Sequence, residues 1–152
     1  METTFVIRKA QPGDEAAIMG LVHELAEYEK EPDAVINTPE QLRIDLFEDR
    51  VCHCLVVEKE EGLCAMALYY ISYSTWNGRC LYLEDLYVQP QYRRYGIGRA
   101  LFKELIALAK KNGYRRMDWQ VLDWNDSAIA FYKQLDAYLD PEWVNGRLFF
   151  GG

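Results

Sequence analysis

Three β-rich runs follow one another through the middle of this chain: VCHCLVVEK (51–59), LCAMALYYISY (63–73) and CLYLEDLYV (80–88). Only the turn-like stretches KEEG and STWNGR separate them. Turns this short join antiparallel neighbours, so the three runs predict a meander at the centre of a sheet. The rest of the chain must then supply what covers that sheet.

The flanking segments read as alternating cover and edge. TFVIRKA alternates and predicts a strand. From Gly13 to about Lys30, apolar Ile18, Leu21, Val22 and Leu25 make a helical stripe. NTPEQLRIDLF places Thr38, Pro39 and Gln41 as a capping box with proline at the first helical position, which predicts a second helix. Beyond the meander, Leu101, Phe102, Leu105, Ile106, Leu108 and Ala109 share one helix face, and Lys110, Lys111 and Asn112-Gly113 close that helix. YRRMDWQVL predicts a further strand. Asn125, Asp126 and Ser127 are candidate caps of a short helix, SAIAFYKQL. WVNGRLFF predicts a closing strand or hairpin. The order β-α-α-β-β-β-α-β-α-β describes a mixed-sheet α/β domain. At 152 residues, half of them hydrophobic, residues 1–152 are expected to form a single domain.

Composition narrows the chemistry. No apolar run is long enough to span a membrane, and METTFVIRKA lacks a basic-then-apolar leader pattern, so a cytoplasmic protein with no membrane partner is expected. Cys52, Cys54, Cys64 and Cys80 form no CxxC pair and are expected to be reduced. Cys52-His53-Cys54 alternates faces along a strand, so its side chains do not converge and no metal is expected. The net charge of −7 is uneven: residues 1–50 carry 12 acidic and 5 basic side chains. Residues 92–116 run the other way, with Arg93, Arg94, Arg99, Lys103, Lys110, Lys111, Arg115 and Arg116 against Glu104. Two solvated helix faces of opposite sign would produce this pattern, as would a basic seat for an anionic cofactor beside an acidic seat for a cationic substrate. An acidic total argues against nucleic acid as partner.

The stretch QPQYRRYGIGRALF (89–102) carries the anion-binding signal. A Walker loop requires Gly-Lys-Ser/Thr, but Arg99-Ala100 follows Gly98. A dinucleotide fingerprint needs a tight turn directly after its strand and a third glycine; here seven residues, 89–95, intervene and Leu101 takes the third position. Asp118 alone mimics the ribose-binding acid. What remains is a helix N-terminus with exposed N–H groups, a seat suited to a pyrophosphate.

Arg93-x-x-Gly96-x-Gly98 resembles the R/Q-x-x-G-x-G/A loop of the GNAT acetyltransferase superfamily, and WNDSAIAFYKQLDA resembles its N-x-x-A-x-x-F-Y segment. YLEDLYV and YSTWNGR resemble the diamine acetyltransferase group, closest to its thialysine-acetylating branch, and the similarity runs from FVIRKA to GRLF. The resemblance implies an α/β fold of GNAT type: a mixed, mostly antiparallel central sheet flanked by helices, with a splayed central strand pair. It implies an acetyl-CoA-dependent N-acetyltransferase acting on a small amine, a homodimer, and transfer in a ternary complex. Backbone groups of Leu86, Tyr87 and Val88 would pair with the pantetheine arm. Arg93 matches the motif's basic position, and the N–H groups of Arg94, Tyr95, Gly96, Ile97, Gly98 and Arg99 would hold the pyrophosphate. Asn125, with Ser127, would contact the cofactor, and Tyr132 would sit beside its sulfur. Glu84 would serve the incoming amine. Tyr28, Glu29, Trp76, Asp118, Trp119 and Gln120 match positions around the substrate.

The chemistry agrees with these residue types. A primary amine with pKa near ~10 must lose a proton before attacking a thioester. A carboxylate attracts the ammonium and passes that proton to water; a tyrosine O–H can protonate the departing thiolate. No cysteine nucleophile is required. Adjacent Glu84 and Asp85 are expected on opposite faces of their strand, leaving one for a given pocket; Asp85 could pair with an arginine. Arg94 and Asp136 stand where the resembled sequences carry glycine, so left-handed backbone there would be strained. Ser74-Thr75 precede Trp76 where polyamine-acetylating sequences carry an acid, which favours an amino-acid-like monoamine. A peptide N-terminus or protein lysine as acceptor, and a non-catalytic CoA-binding module, are the alternatives.

Overall fold

The computed structural model describes residues 4–151. They divide into two compact units, one running to Gln120 and one from Val121 onward.

The first unit is built on a five-stranded sheet. Strands β1 (Val6–Lys9), β2 (His53–Lys59), β3 (Gly62–Ser74), β4 (Gly78–Val88) and β5 (Met117–Asp118) lie side by side in chain order. β2, β3 and β4 pair antiparallel, as the short turns predict, β1 pairs antiparallel with β2, and β4 pairs with β5 in parallel. The sheet is therefore mixed and mostly antiparallel.

Two helices cover one face. α1 (Glu15–Tyr28) follows from the apolar stripe, with Ile18, Met19 and Leu21 buried. Its start is fixed by Arg8 of β1, which pairs with Asp14 at 2.7 Å, and Asp14 also accepts from the Gln11 N–H at 2.9 Å. α2 (Pro39–Arg43) begins on the expected cap, with the Gln41 N–H donating to Thr38 Oγ1 at 3.1 Å. It widens into a π turn over Ile44–Glu48. Ile18, Leu21, Leu42 and Leu46 pack with Cys54, Val56, Met66, Leu68 and Tyr87 of the sheet. Burying each large side chain contributes about 1.5–3 kcal/mol, so this layer anchors the unit. On the other face, α3 (Ile97–Lys111) buries Ile97, Leu101, Phe102, Leu105 and Ala109. It approaches β4 closely where Gly98 meets Leu86 and Val88. Among the described residues no helix is long and apolar enough to cross a membrane.

Two strand expectations are corrected. YRRMDWQVL yields only Met117–Asp118, paired with Leu81 and Tyr82. From Leu83 the two strands part, because β4 carries a bulge at Glu84 and a bulge bends its strand. This parting is the splay of the central pair. WVNGRLFF forms no strand: residues 138–151 have no regular element, and Trp143 and Phe149 are 76% and 90% exposed. No described strand pairs with that segment, and a strand without a neighbour leaves its backbone groups to water.

The second unit contains α4 (Asp126–Gln134). Asn125 caps it, its Oδ1 accepting from the Ala128 N–H at 3.3 Å. After the cap residue Leu135, Asp136 adopts φ +60, the left-handed turn that commonly ends a helix.

Candidate active site

The site grows from one irregularity in β4. Asp85 lies opposite Leu68, but the next pair is Leu83 opposite Tyr69, so Glu84 is the extra residue of a bulge. Residues opposite one another in a ladder share a face. Leu68 and Tyr87 belong to the core layer beneath α1 and α2, so Asp85 also faces α1. Glu84 steps out of the alternation and is exposed. The expectation that the two carboxylates simply alternate is corrected at this point, because a bulge interrupts the two-residue period.

The outcome is a local concentration of negative charge. Glu84 lies close enough to Asp85 and to Glu29, just past the end of α1, to disfavour ionisation of both. Burial acts first on Asp85, and Glu84 and Glu29 add to it, so its carboxyl is pushed up to about 7. Burial and then Glu84 also raise Glu29 above the usual carboxylate range. Asp85 has no arginine partner among the described hydrogen bonds and ion pairs; its charged neighbours are acids. A cavity of about 190 Å³ opens here, lined by Asp85, Glu29, Glu31 and the apolar Val22, Leu25, Ala26, Ala34 and Val35. Apolar walls with convergent carboxyl groups suit a cation on a hydrocarbon stem.

Around and beyond the carboxylates, Leu83 to Val88 carry no ladder partner on the β5 side among the described residues, since that pairing ends at Tyr82. The open edge leads through a turn at Pro90–Tyr92 into the glycine loop. Arg94 and Gly96 both adopt left-handed backbone, with φ +77 and +76. Alternation of this kind turns neighbouring N–H groups into a concave anion seat. The first bond of α3 runs from the Ala100 N–H to Gly96 O at 2.9 Å. The N–H groups of Ile97, Gly98 and Arg99 therefore precede the helical ladder and point off its N-terminal end. Gly96 caps the helix in a conformation that glycine adopts without strain, whereas Arg94 adopts it against its Cβ. The chemistry of this donor set fits a pyrophosphate, and the free edge fits an amide-bearing chain such as pantetheine.

Arg93 lies differently from its loop neighbours. Its Nε donates to Val88 O at 2.9 Å, and its guanidinium sits 5.6 Å from the ring centroids of both Tyr28 and Tyr87. Tyr28, the last residue of α1, is 40% exposed. Of the residues the sequence proposes around the substrate, Tyr28, Glu29 and Glu84 thus gather near the end of α1. Trp76 sits on the β3–β4 hairpin and is 85% exposed, its backbone N–H donating to Ser74 Oγ at 3.1 Å. The Asp118 carboxylate is held by Arg116 at 3.0 Å, and Arg116 also donates to Asn77 Oδ1 at 2.8 Å. Trp119 packs edge-on against Phe102 of α3 at 5.2 Å, and Gln120 follows it at the end of the first unit. In the second unit, Asn125 and Ser127 form the cap of α4, with Ser127 Oγ donating to Asn125 Oδ1 at 3.3 Å. Tyr132 is buried one turn further, its ring 5.5 Å from that of Phe131.

Sequence reasoning assigned no role in the site to Asp85, Glu31, Ala34 or Val35. The bulge leaves no mark in a run of strand formers. The signal for the others was Pro32: α1 ends on left-handed Lys30 (φ +64), and Pro32 then opens the tight turn Pro32–Ala34.

Comparison with known proteins gives a consistent result. Residues 18–137 match the model of the acetyltransferase (GNAT) family. The chain is 43% identical over 132 residues to thialysine N-epsilon-acetyltransferase of Caenorhabditis elegans, covering 87% of this chain and 82% of that one. It is 45% identical over 141 residues to the Bos taurus protein of the same name, covering 87% and 83%. Its fold matches the crystal structure of an aminoglycoside acetyltransferase from an uncultured soil metagenomic sample, with a TM-score of 0.79, 18% identity and 97% of each chain covered. The bulged β4, the open strand edge, the left-handed loop at α3 and these matches lead to one conclusion: the chain belongs to the GNAT family of N-acetyltransferases.

Proposed function

We propose that this protein is an acetyl-CoA-dependent N-acetyltransferase. Its acceptor is a primary amine of a small cationic substrate, either thialysine or a lysine-like amine, or else a di- or polyamine. Transfer is direct, in a ternary complex. The observation that carries the reading is the carboxyl cluster at the β4 bulge, placed immediately before an open strand edge and an anion-seating loop. The thialysine acetyltransferase relatives support the same acceptor class.

Acetyl-CoA supplies an activated acetyl thioester when bound. Leu86, Tyr87 and Val88 offer backbone groups to its pantetheine arm, and the N–H groups from Arg94 to Arg99 receive its pyrophosphate. Asn125 and Ser127 add contacts at the head of α4. Glu84, exposed at the bulge, draws the ammonium in and takes its proton through water. Asp85 and Glu29 hold the cationic stem against the apolar wall of α1. Tyr132 donates its phenolic proton to the departing thiolate. Ser74-Thr75, in place of an acid, support a monoamine bearing its own carboxylate. The small cavity favours a free amine over a peptide or protein lysine, and the presence of both Glu84 and Tyr132 in the sequence favours an enzyme over a non-catalytic CoA-binding module.

We further propose that residues 1–152 act as one domain, since the family match spans both units. Exposed Trp143, Phe149 and Phe150 support a homodimer, and a cytoplasmic setting supplies the acetyl-CoA. Thiol release from acetyl-CoA across thialysine, lysine, diamines, polyamines and peptides tests the proposal. Turnover highest with thialysine or lysine supports it; no release with any free amine ends it. Tyr132→Phe is expected to lower kcat by at least ~10²-fold while CoA affinity holds; unchanged kcat removes the tyrosine from the mechanism.

A further inference from the structure

The chain's one arginine at the motif's basic position does not extend among the loop N–H groups. Arg93 turns back along β4, where Nε donates to Val88 O and the guanidinium lies 5.6 Å from the ring centroids of both Tyr28 and Tyr87. A guanidinium within about 6 Å of a ring face is attracted by the ring's quadrupole, and two rings share this one. The last turn of α1 has no basic residue, and Glu27 and Glu29 occupy it and its cap, with Lys30 next in the chain. Negative charge at a helix C-terminus opposes the helix dipole, so an arginine delivered from elsewhere relieves this end.

Other contacts make the same connection. Glu24 of α1 accepts from Tyr87 Oη at 3.1 Å and from Gln89 Nε2 at 3.0 Å. The segment leading into the glycine loop is therefore joined to the helix whose end carries Tyr28 and Glu29. From this geometry we infer that Arg93 is a positioning residue, not a phosphate ligand. It acts through Tyr28 to fix the acceptor wall at the end of α1 relative to the acyl-donor loop. The inference rests on the acetyltransferase reading above and adds to it that the two substrate seats are mechanically coupled.

The test is a double-mutant cycle on the full chain with Arg93→Met, Tyr28→Leu and the pair, with Arg93→Lys as the conservative variant. Acetyl-CoA affinity at several salt concentrations, acceptor KM and kcat, and apoprotein melting are measured. If Arg93 positions Tyr28, Arg93→Met raises acceptor KM about two- to fivefold with little change in kcat. The double variant is then no worse than Tyr28→Leu alone. Acetyl-CoA affinity stays within about twofold, and its salt dependence stays parallel to the parent's. Arg93→Lys recovers part of the KM loss. In the apoprotein the two substitutions are non-additive by about 1–2 °C, which reads the contact without any ligand. A loss of acetyl-CoA affinity of tenfold or more with a shallower salt dependence makes Arg93 a phosphate ligand and overturns the assignment. Additive effects on KM and melting overturn it too. A parent protein that binds no acetyl-CoA overturns the acetyltransferase reading itself, and this inference with it.

Discussion

Arg94 sits in a backbone position that its type resists. Arg94 holds φ +77, where an L side chain meets its own carbonyl at a cost of about 1–2 kcal/mol. Its N–H is placed by that conformation, not by its side chain, so glycine can serve equally. Arg94→Gly is expected to raise the melting temperature by about 1–3 °C, the relief of strain being offset in part by a more flexible unfolded chain. Calorimetry decides it; a lower melting temperature would mean that the guanidinium contributes more than the strain costs. Glu84 is the opposite case. It is exposed, so Glu84→Gln is expected to leave melting within about 1 °C. Acetyl transfer should nevertheless fall about 10²-fold if Glu84 handles the amine proton. Equal loss of stability and activity would assign it a structural role.

At the scale of elements, the sequence carried the helices and the meander because each has a strong local signal. Thr38 capped α2 as its box predicts, Asn125 capped α4, and Asp136 ended it in left-handed backbone. The site was less legible. Glu84-Asp85 reads as two alternating positions, and only the pairing with β3 shows that one residue is inserted there. The length of β5 was misjudged for the same reason: the divergence of β4 and β5 is decided by the bulge, which lies outside the β5 sequence. The buried member of the pair has a measurable consequence. Folded Asp85 keeps its proton up to about pH 7, whereas in the unfolded chain it loses it near 3.8. Between those values the folded state binds more protons, so this group's contribution to stability falls as pH rises. Asp85→Asn should therefore gain about 1–3 kcal/mol on the parent between pH 5 and pH 8, seen as a flatter pH profile in urea melts. A profile unchanged by the substitution would show that Asp85 ionises normally.

For the whole molecule, charge is arranged by region. The acidic first third supplies α1 with its Glu24 and Glu27 and the cap residue Glu29, and the basic stretch from 92 supplies the loop and α3. This division was readable directly from the sequence, because counting charges requires no geometry. The fate of residues 143–150 was not, because whether an apolar run becomes a strand depends on whether another strand lies beside it. Raising salt from about 50 to 500 mM shortens the screening length severalfold. Acceptor KM should accordingly rise more for a diamine than for thialysine, whose carboxylate already offsets one charge. Equal salt dependence would show that the acidic third takes no part in acceptor capture.

The open edge of β4 has a cost when nothing lies along it. Among the described residues, Leu83 to Tyr87 have no ladder partner on the β5 side, beside apolar side chains in the middle of a sheet. Another chain's strand can add there by the same bonds that pantetheine would use. The ligand would then be a stopper as well as a reactant, and the colloidal lifetime of the protein would follow its supply of CoA. Light scattering during slow heating should rise later with CoA present, by more than the shift in melting temperature explains.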